Sequence, residues 1–186
     1  MQESNNVKAI EMSKTSKGPS KTAETIAMVR VAESRKPEDE CICYDPYAIR
    51  FISREVLEFA TNNPEKYRAF LAQSERLIPG ARNSIIARVR YFDDIVKSSI
   101  GDGLEQLVIL GAGYDTRAYR IEGLKNVRVF EVDQPATQKR KVEKIKEIFG
   151  SLPSYVTYVS IDIGVDKLDQ RLLESGYDRS LNMTFG

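Results

Sequence analysis

The run Leu107-Val108-Ile109-Leu110 breaks directly into Gly111-Ala112-Gly113, and few backbone arrangements accept that order. Four branched aliphatics in succession suit a strand covered on both faces. The glycines that follow let the chain turn tightly and approach a ligand closely. A lone Gly-X-Gly is weak evidence by itself. The next apolar run, 126–133, strengthens it by closing on Glu131 and Asp133. These acids fall about twenty residues beyond the glycines, where a carboxylate can hold ribose hydroxyls. The pattern predicts an α/β fold that opens with a Rossmann-like unit.

The turn also discriminates between ligands. A dinucleotide site calls for a third glycine and bare amides facing pyrophosphate, but Asp115 stands on that ground. A carboxylate repels phosphate and attracts a cationic ligand. S-adenosylmethionine, with an ammonium and a sulfonium beside its adenosine, fits that requirement better than NAD(P). Capping of a helix that starts near Thr116 is an equally ordinary use of Asp115, and the two roles are compatible.

Composition narrows the functional classes. The 186 residues, 41% apolar and 30% charged, read as globular, and a formal charge of +1 offers no basic excess for a nucleic-acid partner. No stretch has the length and apolarity of a membrane span, and the N-terminus lacks a signal-peptide core, so a cytoplasmic location is expected. Histidine is absent, which removes Ser-His-Asp and Cys-His catalysis. Cys41 and Cys43 cannot complete a four-ligand zinc site and are read as packing residues. No metal is expected.

Along the chain, residues 1–21 are polar and predict a mobile tail. Thr22 is the expected cap of a helix with Ala23, Ile26, Ala27 and Val31 near one face. Arg30, on the same side, reads as an exposed helix arginine. A charged loop at 35–40 precedes Asp45-Pro46, a helix-start pair, and Ala48, Phe51, Ile52, Val56 and Phe59 follow at helical spacing. Asn63-Pro64 repeats the device, with Tyr67, Phe70, Leu71, Leu77 and Ile78 as the next buried stripe. A helix over 82–99 presents Ile85, Ile86, Val89, Phe92 and Val96 inward and ends at Gly101-Asp102-Gly103. After the second strand a helix runs from Asp133-Gln134-Pro135 to Phe149. Val142, Ile145 and Ile148 face inward; Lys139, Arg140, Lys141, Lys144 and Lys146 form a solvated face. A third strand at 155–161 leads into Asp162-Ile163, a helix spans about 166–174, and a fourth strand starts at 181–185.

Three segments in order carry a family likeness: 111–117 (Gly-Ala-Gly-Tyr-Asp-Thr-Arg), 130–135 (Phe-Glu-Val-Asp-Gln-Pro) and 161–163 (Ile-Asp-Ile). With Thr22-Ala23-Glu24-Thr25, Tyr44-Asp45-Pro46-Tyr47-Ala48 and Ala87-Arg88-Val89, they resemble the leucine carboxyl methyltransferase family of S-adenosylmethionine-dependent methyltransferases. The resemblance implies a class I methyltransferase core that binds S-adenosyl-L-methionine. It gives Arg88 to the cofactor's methionine carboxylate, through the paired hydrogen bonds a guanidinium makes. Gly111, Ala112, Gly113 and Asp115 would line the turn, and Asp133 would hold the ribose with Glu131 as the alternative. Asp162 would meet the adenine amino group, unless it is only a turn aspartate capping the next helix, and Ile163 would meet the ring. The segment 22–30 would lie over the pocket, which gives Arg30 a second reading as a cofactor ligand.

The expected organisation is a tail at 1–21, a helical cap at 22–103, and at 104–186 the N-terminal, truncated half of a Rossmann-like cofactor domain. The reaction implied is methyl transfer to oxygen of a carboxylate on a small molecule or protein. An ionised acceptor needs no general base, which suits a chain without histidine. The alternative is a non-catalytic remnant or interaction protein that keeps the cofactor-binding half and self-associates through an open sheet edge.

Overall fold

A computed structural model describes residues 18–162 and 164–186. Most of the expected tail, residues 1–17, lies outside that description. Ser20 and Lys21 do not belong to a tail, because α1 (Lys21–Glu33) is capped by Ser20, whose hydroxyl accepts the Ala23 N–H at 3.1 Å. Thr22 is therefore not the cap. The N-cap hydroxyl must reach a donor in the first turn, and Ser20 stands where it can.

The helix expected from Asp45-Pro46 is broken in two. Asp45 Oδ1 accepts the N–H groups of Tyr47 and Ala48, both at 3.0 Å, and starts a single 3₁₀ turn at Ala48–Phe51. The chain then extends at Ile52 before α2 (Arg54–Asn62) begins. The break has a local cause: Glu24 of α1 accepts the Ser53 N–H at 2.6 Å, while Phe51 stacks on Tyr114 with ring centroids 5.1 Å apart. The first contact holds the turn against α1 and the second against the segment after β1, rather than letting it continue as a helix.

Helix α3 (Pro64–Leu77) forms as its Asn63-Pro64 start predicts, but its apolar stripe is not buried. Phe70, Leu77 and Ile78 are 56%, 74% and 66% exposed. Periodicity specifies an apolar face and says nothing about what covers it; among the described residues α2 and α3 pack on each other and bury no side chain completely. Helix α4 (Ala81–Gly101) buries Ile86, Val89, Asp93 and Val96.

The sheet contains β1 (Gln106–Leu110), β2 (Arg128–Asp133), β3 (Val156–Ser160) and β4 (Met183–Phe185), in the spatial order β3-β2-β1-β4 with every pairing parallel. Side chains alternate across it. Leu107, Ile109 and Val129 pack with α1, α4 and α6 (Pro135–Phe149), whereas Val108, Phe130, Val132 and Val159 pack beneath α7 (Leu168–Glu174). This is an α/β fold with helices on both faces of a parallel sheet, as the sequence pattern predicts. The chain runs outward from β1 to β3 and then returns to β4 on the other side of β1. Strand order thus reverses beside the carboxyl end of β1, where open α/β sheets form ligand crevices. Leu110 departs from the expected buried run. It is 45% exposed at that edge, although Leu107, Val108 and Ile109 are buried.

Candidate ligand site at the glycine turn

The turn after β1 is held from three directions. Gly111 and Gly113 have φ of 59° and 48°, left-handed values that side chains disfavour. The Ala112 N–H donates to the Val132 carbonyl at 2.9 Å, and the Gly113 N–H donates to the Asp133 carboxylate. Helix α1 roofs the turn: a Cβ at Gly113 would stand 3.2 Å from the Ala23 Cβ, while one at Gly111 meets nothing within 4 Å. The second glycine, Gly113, permits a close helix contact, and the first, Gly111, opens onto free space.

Asp115 Oδ1 accepts the Arg117 N–H at 2.8 Å, a turn contact from the residue before the N-cap Thr116, and its Oδ2 pairs with the Arg117 guanidinium at 3.0 Å. Burial alone would raise its pKa, but Arg117, Arg30, Lys141 and Arg120 outweigh that and hold it at about 2. The carboxylate is thus ionised and already faces cations. Arg117 opens α5 (Arg117–Arg120) and lies over the Phe92 ring at 5.3 Å; its Nε and Nη1 have no hydrogen-bond partner among the described residues.

The two acids of β2 occupy different environments. Asp133 is half-buried at the strand end, with Oδ1 accepting the Gln134 N–H at 2.6 Å and Oδ2 the Gly113 N–H. Glu131 is buried, its Oε2 2.8 Å from Lys141 Nζ and 3.1 Å from the Tyr119 hydroxyl, which also meets Tyr158 at 3.1 Å. Burial pushes Glu131 up, with Lys141 opposing; burial likewise raises Tyr119, and raises Tyr158 to about 12. Lys141 was expected on the solvated face of α6 and is 1% exposed. It shares the buried face with Gln138 and Ile145 at helical spacing, and Glu131 supplies the counter-charge that permits its burial.

Arg88 is exposed on α4, with no ion pair among the described residues, one helical turn before Phe92. Arg30, by contrast, is buried rather than exposed. It pairs with Asp45 at 3.3 Å and donates from Nη2 to the Tyr114 carbonyl. Asp162 is exposed and accepts the Gly164 N–H at 3.1 Å, a turn contact. Ile163 lies outside the described residues. A flank cavity of about 580 Å³, lined among others by Tyr44, Asp93, Lys97 and Arg120, contains no residue of the glycine turn or of the β2 end. Among the described residues no group of three or more acids and cysteines is arranged to hold a metal ion, and no helix is long and apolar enough to cross a membrane.

The elements that sequence reasoning missed are Asp45 and Arg30 as a clamp on the turn. Their mutual contact spans helix, loop and sheet edge, and the Asp45-Pro46 pair announced only a helix start.

Similarity to known proteins agrees with this geometry. A Bacillus subtilis protein, YktD, provisionally named as an S-adenosyl-L-methionine-dependent methyltransferase, is 35% identical over 130 residues, covering 69% of this chain and 41% of that protein. Proteins with the same provisional name from Mycobacterium sp. (strain KMS) and Mycolicibacterium smegmatis are 32% and 33% identical, covering 83% and 84% of this chain and 61% and 51% of theirs. The chain spans about half the length of these curated relatives. Residues 23–185 match the family described as leucine carboxyl methyltransferase, so that the parallel sheet, its glycine turn and the helices around it belong to a member of that family.

Proposed function

We propose that the chain binds S-adenosyl-L-methionine at the carboxyl edge of β1 and β2 and serves an O-methyltransferase whose acceptor is a carboxylate. The open space at Gly111, bounded by Leu110 and by a half-buried acid closing β2, is the observation that carries this reading. The family and the names of the relatives support the cofactor. The residues present fit it. Asp133 offers its remaining acceptor capacity to the ribose, Gly111, Ala112 and Gly113 let the backbone approach, and Arg88, exposed and without an ion pair among the described residues, offers its guanidinium to the methionine carboxylate. Asp162, exposed beyond β3, takes the adenine side together with Ile163. Asp115 keeps its contribution electrostatic, because its hydrogen-bonding oxygens serve Arg117. Glu131 supports β2 from below through Lys141 rather than reaching the ligand. The bound cofactor would supply the methyl group; the chain's own residues hold it in place, and the cations around Asp115 keep that carboxylate ionised.

Calorimetry tests the assignment. S-adenosylmethionine or S-adenosylhomocysteine should bind in preference to NAD, and tighter binding of NAD would overturn the cofactor. Asp133→Ala should weaken binding roughly ten- to a hundredfold, the loss of about 1.5 to 3 kcal/mol expected for a charge-assisted hydrogen bond. If Glu131→Ala weakens binding while Asp133→Ala leaves it unchanged, the two acids exchange roles.

Strand β4 has β1 on one side and no strand on the other among the described residues, and Phe185 at its end is 52% exposed. An unpaired parallel edge with apolar side chains recruits a partner strand. The chain by itself should self-associate. A monodisperse monomer in sedimentation would contradict this.

A further inference from the structure

Asp45 stands far from the sheet in sequence and at its edge in space. It is 3% exposed, and both carboxylate oxygens are committed. Oδ1 accepts the Tyr47 and Ala48 N–H groups, so one half of the side chain fixes the 3₁₀ turn. Oδ2 accepts the Thr116 hydroxyl at 2.6 Å and faces Arg30 Nε at 3.3 Å. Arg30 in turn donates to the Tyr114 carbonyl, and the Thr116 hydroxyl also accepts from Arg120 at 3.2 Å. A single carboxylate therefore joins α1, the loop before α2 and the two residues that flank Asp115 in the glycine turn.

We propose that Asp45 is a positioning residue for the ligand site: it sets the height of α1 above the glycine turn and fixes the peptide planes of residues 113–116. The physical reason lies in the geometry of the turn. Glycine φ values near 50–60° are permitted without being enforced, because glycine visits many backbone states. Something outside the turn must select one. The Asp133 contact holds the Gly113 amide from the β2 side, and the Arg30 contact holds the Tyr114 carbonyl from the α1 side. Only the second is exposed to chain motion, since α1 is attached to the sheet through side chains and not through a ladder. Asp45 holds Arg30 in place and, through Thr116, holds the far end of the turn; its negative charge also balances a guanidinium that would otherwise be buried unpaired. Lys36 and the Ile42 N–H engage Glu33 one turn further along α1, so the helix end remains anchored when Asp45 is altered.

The affinity arm of the test rests on the cofactor assignment above; the exchange arm does not. Asp45→Asn keeps one carbonyl oxygen for the Tyr47 and Ala48 amides and removes the charge facing Arg30. It should weaken S-adenosylhomocysteine binding by about tenfold, a coupling of ordinary size. It should also speed amide hydrogen exchange at residues 113–116 and in α1, while exchange in β2 and β3 stays at the parent rate. Should Asp45→Asn fail to fold, Thr116→Val removes the hydroxyl, and with it the contacts to Asp45 and Arg120, and should show the same selective pattern, with Thr116→Ser restoring parent behaviour. Uniformly faster exchange across the sheet with unchanged affinity overturns the proposal and leaves Asp45 as a general brace. If the parent itself does not bind S-adenosylhomocysteine, the cofactor assignment fails, and selective or uniform exchange still decides the role of Asp45.

Discussion

Replacing Lys141 with methionine is expected to lower stability by about 3–5 kcal/mol, the usual result of removing one partner from a buried ion pair. For a chain of this size that corresponds to a melting-temperature drop of roughly 6–20 °C. Among the described residues, Glu131 would be left in an apolar setting with only the Tyr119 hydroxyl as side-chain partner. The deficit should depend on pH. Burial already raises Glu131, and Lys141 is the main group opposing that rise. A carboxyl group whose folded pKa exceeds its unfolded one binds its proton more tightly when folded. Its stabilisation is present below the unfolded pKa of about 4.3 and is lost as pH climbs through the folded value. Without Lys141 the folded value rises further, so the variant should lose least near pH 5 and most near pH 8. Chemical denaturation at both pH values measures this, and Glu131→Gln placed in the same chain should recover most of the loss. An equal deficit at the two pH values would trace the effect to packing instead of charge.

Gly113→Val should cost more function than any other single change in the turn. Valine at φ 48° carries left-handed strain of about 1–3 kcal/mol, and its Cβ would press on Ala23 at 3.2 Å. The neighbour is the stem of α1 rather than the tip of a flexible side chain, so relief requires the roof to lift. Cofactor affinity should fall roughly a hundredfold, because the Gly113 amide that orients Asp133 moves with it. Gly111→Ala is the informative contrast. It bears left-handed strain of about 1–2 kcal/mol but meets no neighbour within 4 Å among the described residues, and its methyl would enter the space proposed for the ligand. Calorimetry beside thermal melts should therefore show Gly111→Ala losing affinity out of proportion to stability, whereas Gly113→Val loses both. Parent-like binding by Gly113→Val would mean that α1 does not seat on the turn as described.

Local signals were legible where the partner lies nearby in the chain. The Pro135 start and Gly150 stop bound α6 to the residue, and β1 ends in its turn at the expected glycines. What could not be read is contact across the fold. The helical stripe of α6 was placed on Val142, Ile145 and Ile148, yet the buried face is Thr137, Gln138, Lys141 and Ile145. A lysine enters a core only when a distant acid waits there, and no local period reveals Glu131. Asp45 was legible as a helix start because Tyr47 and Ala48 are its neighbours; its second oxygen serves Thr116, 71 residues away. The α3 stripe failed for the converse reason, since a periodic apolar face predicts burial without naming a cover. For the candidate site, spacing brought Glu131 and Asp133 forward together, and only their packing separates a half-buried strand end from a sealed ion pair.

The roof over the turn also sets an order of events during synthesis. Ser20 donates its N–H to Thr137, 117 residues downstream, and Arg30 waits for the Tyr114 carbonyl 84 residues later. At roughly 5–20 residues per second, about 6–23 s separate the emergence of α1 from that of its last partner. A 13-residue helix is marginal alone in water, so it cannot hold its shape through that interval by itself. The proposed ligand site would therefore be roofed by an early-synthesised helix folding back onto later elements, and a cofactor that binds only the roofed state would report completion of the segment between.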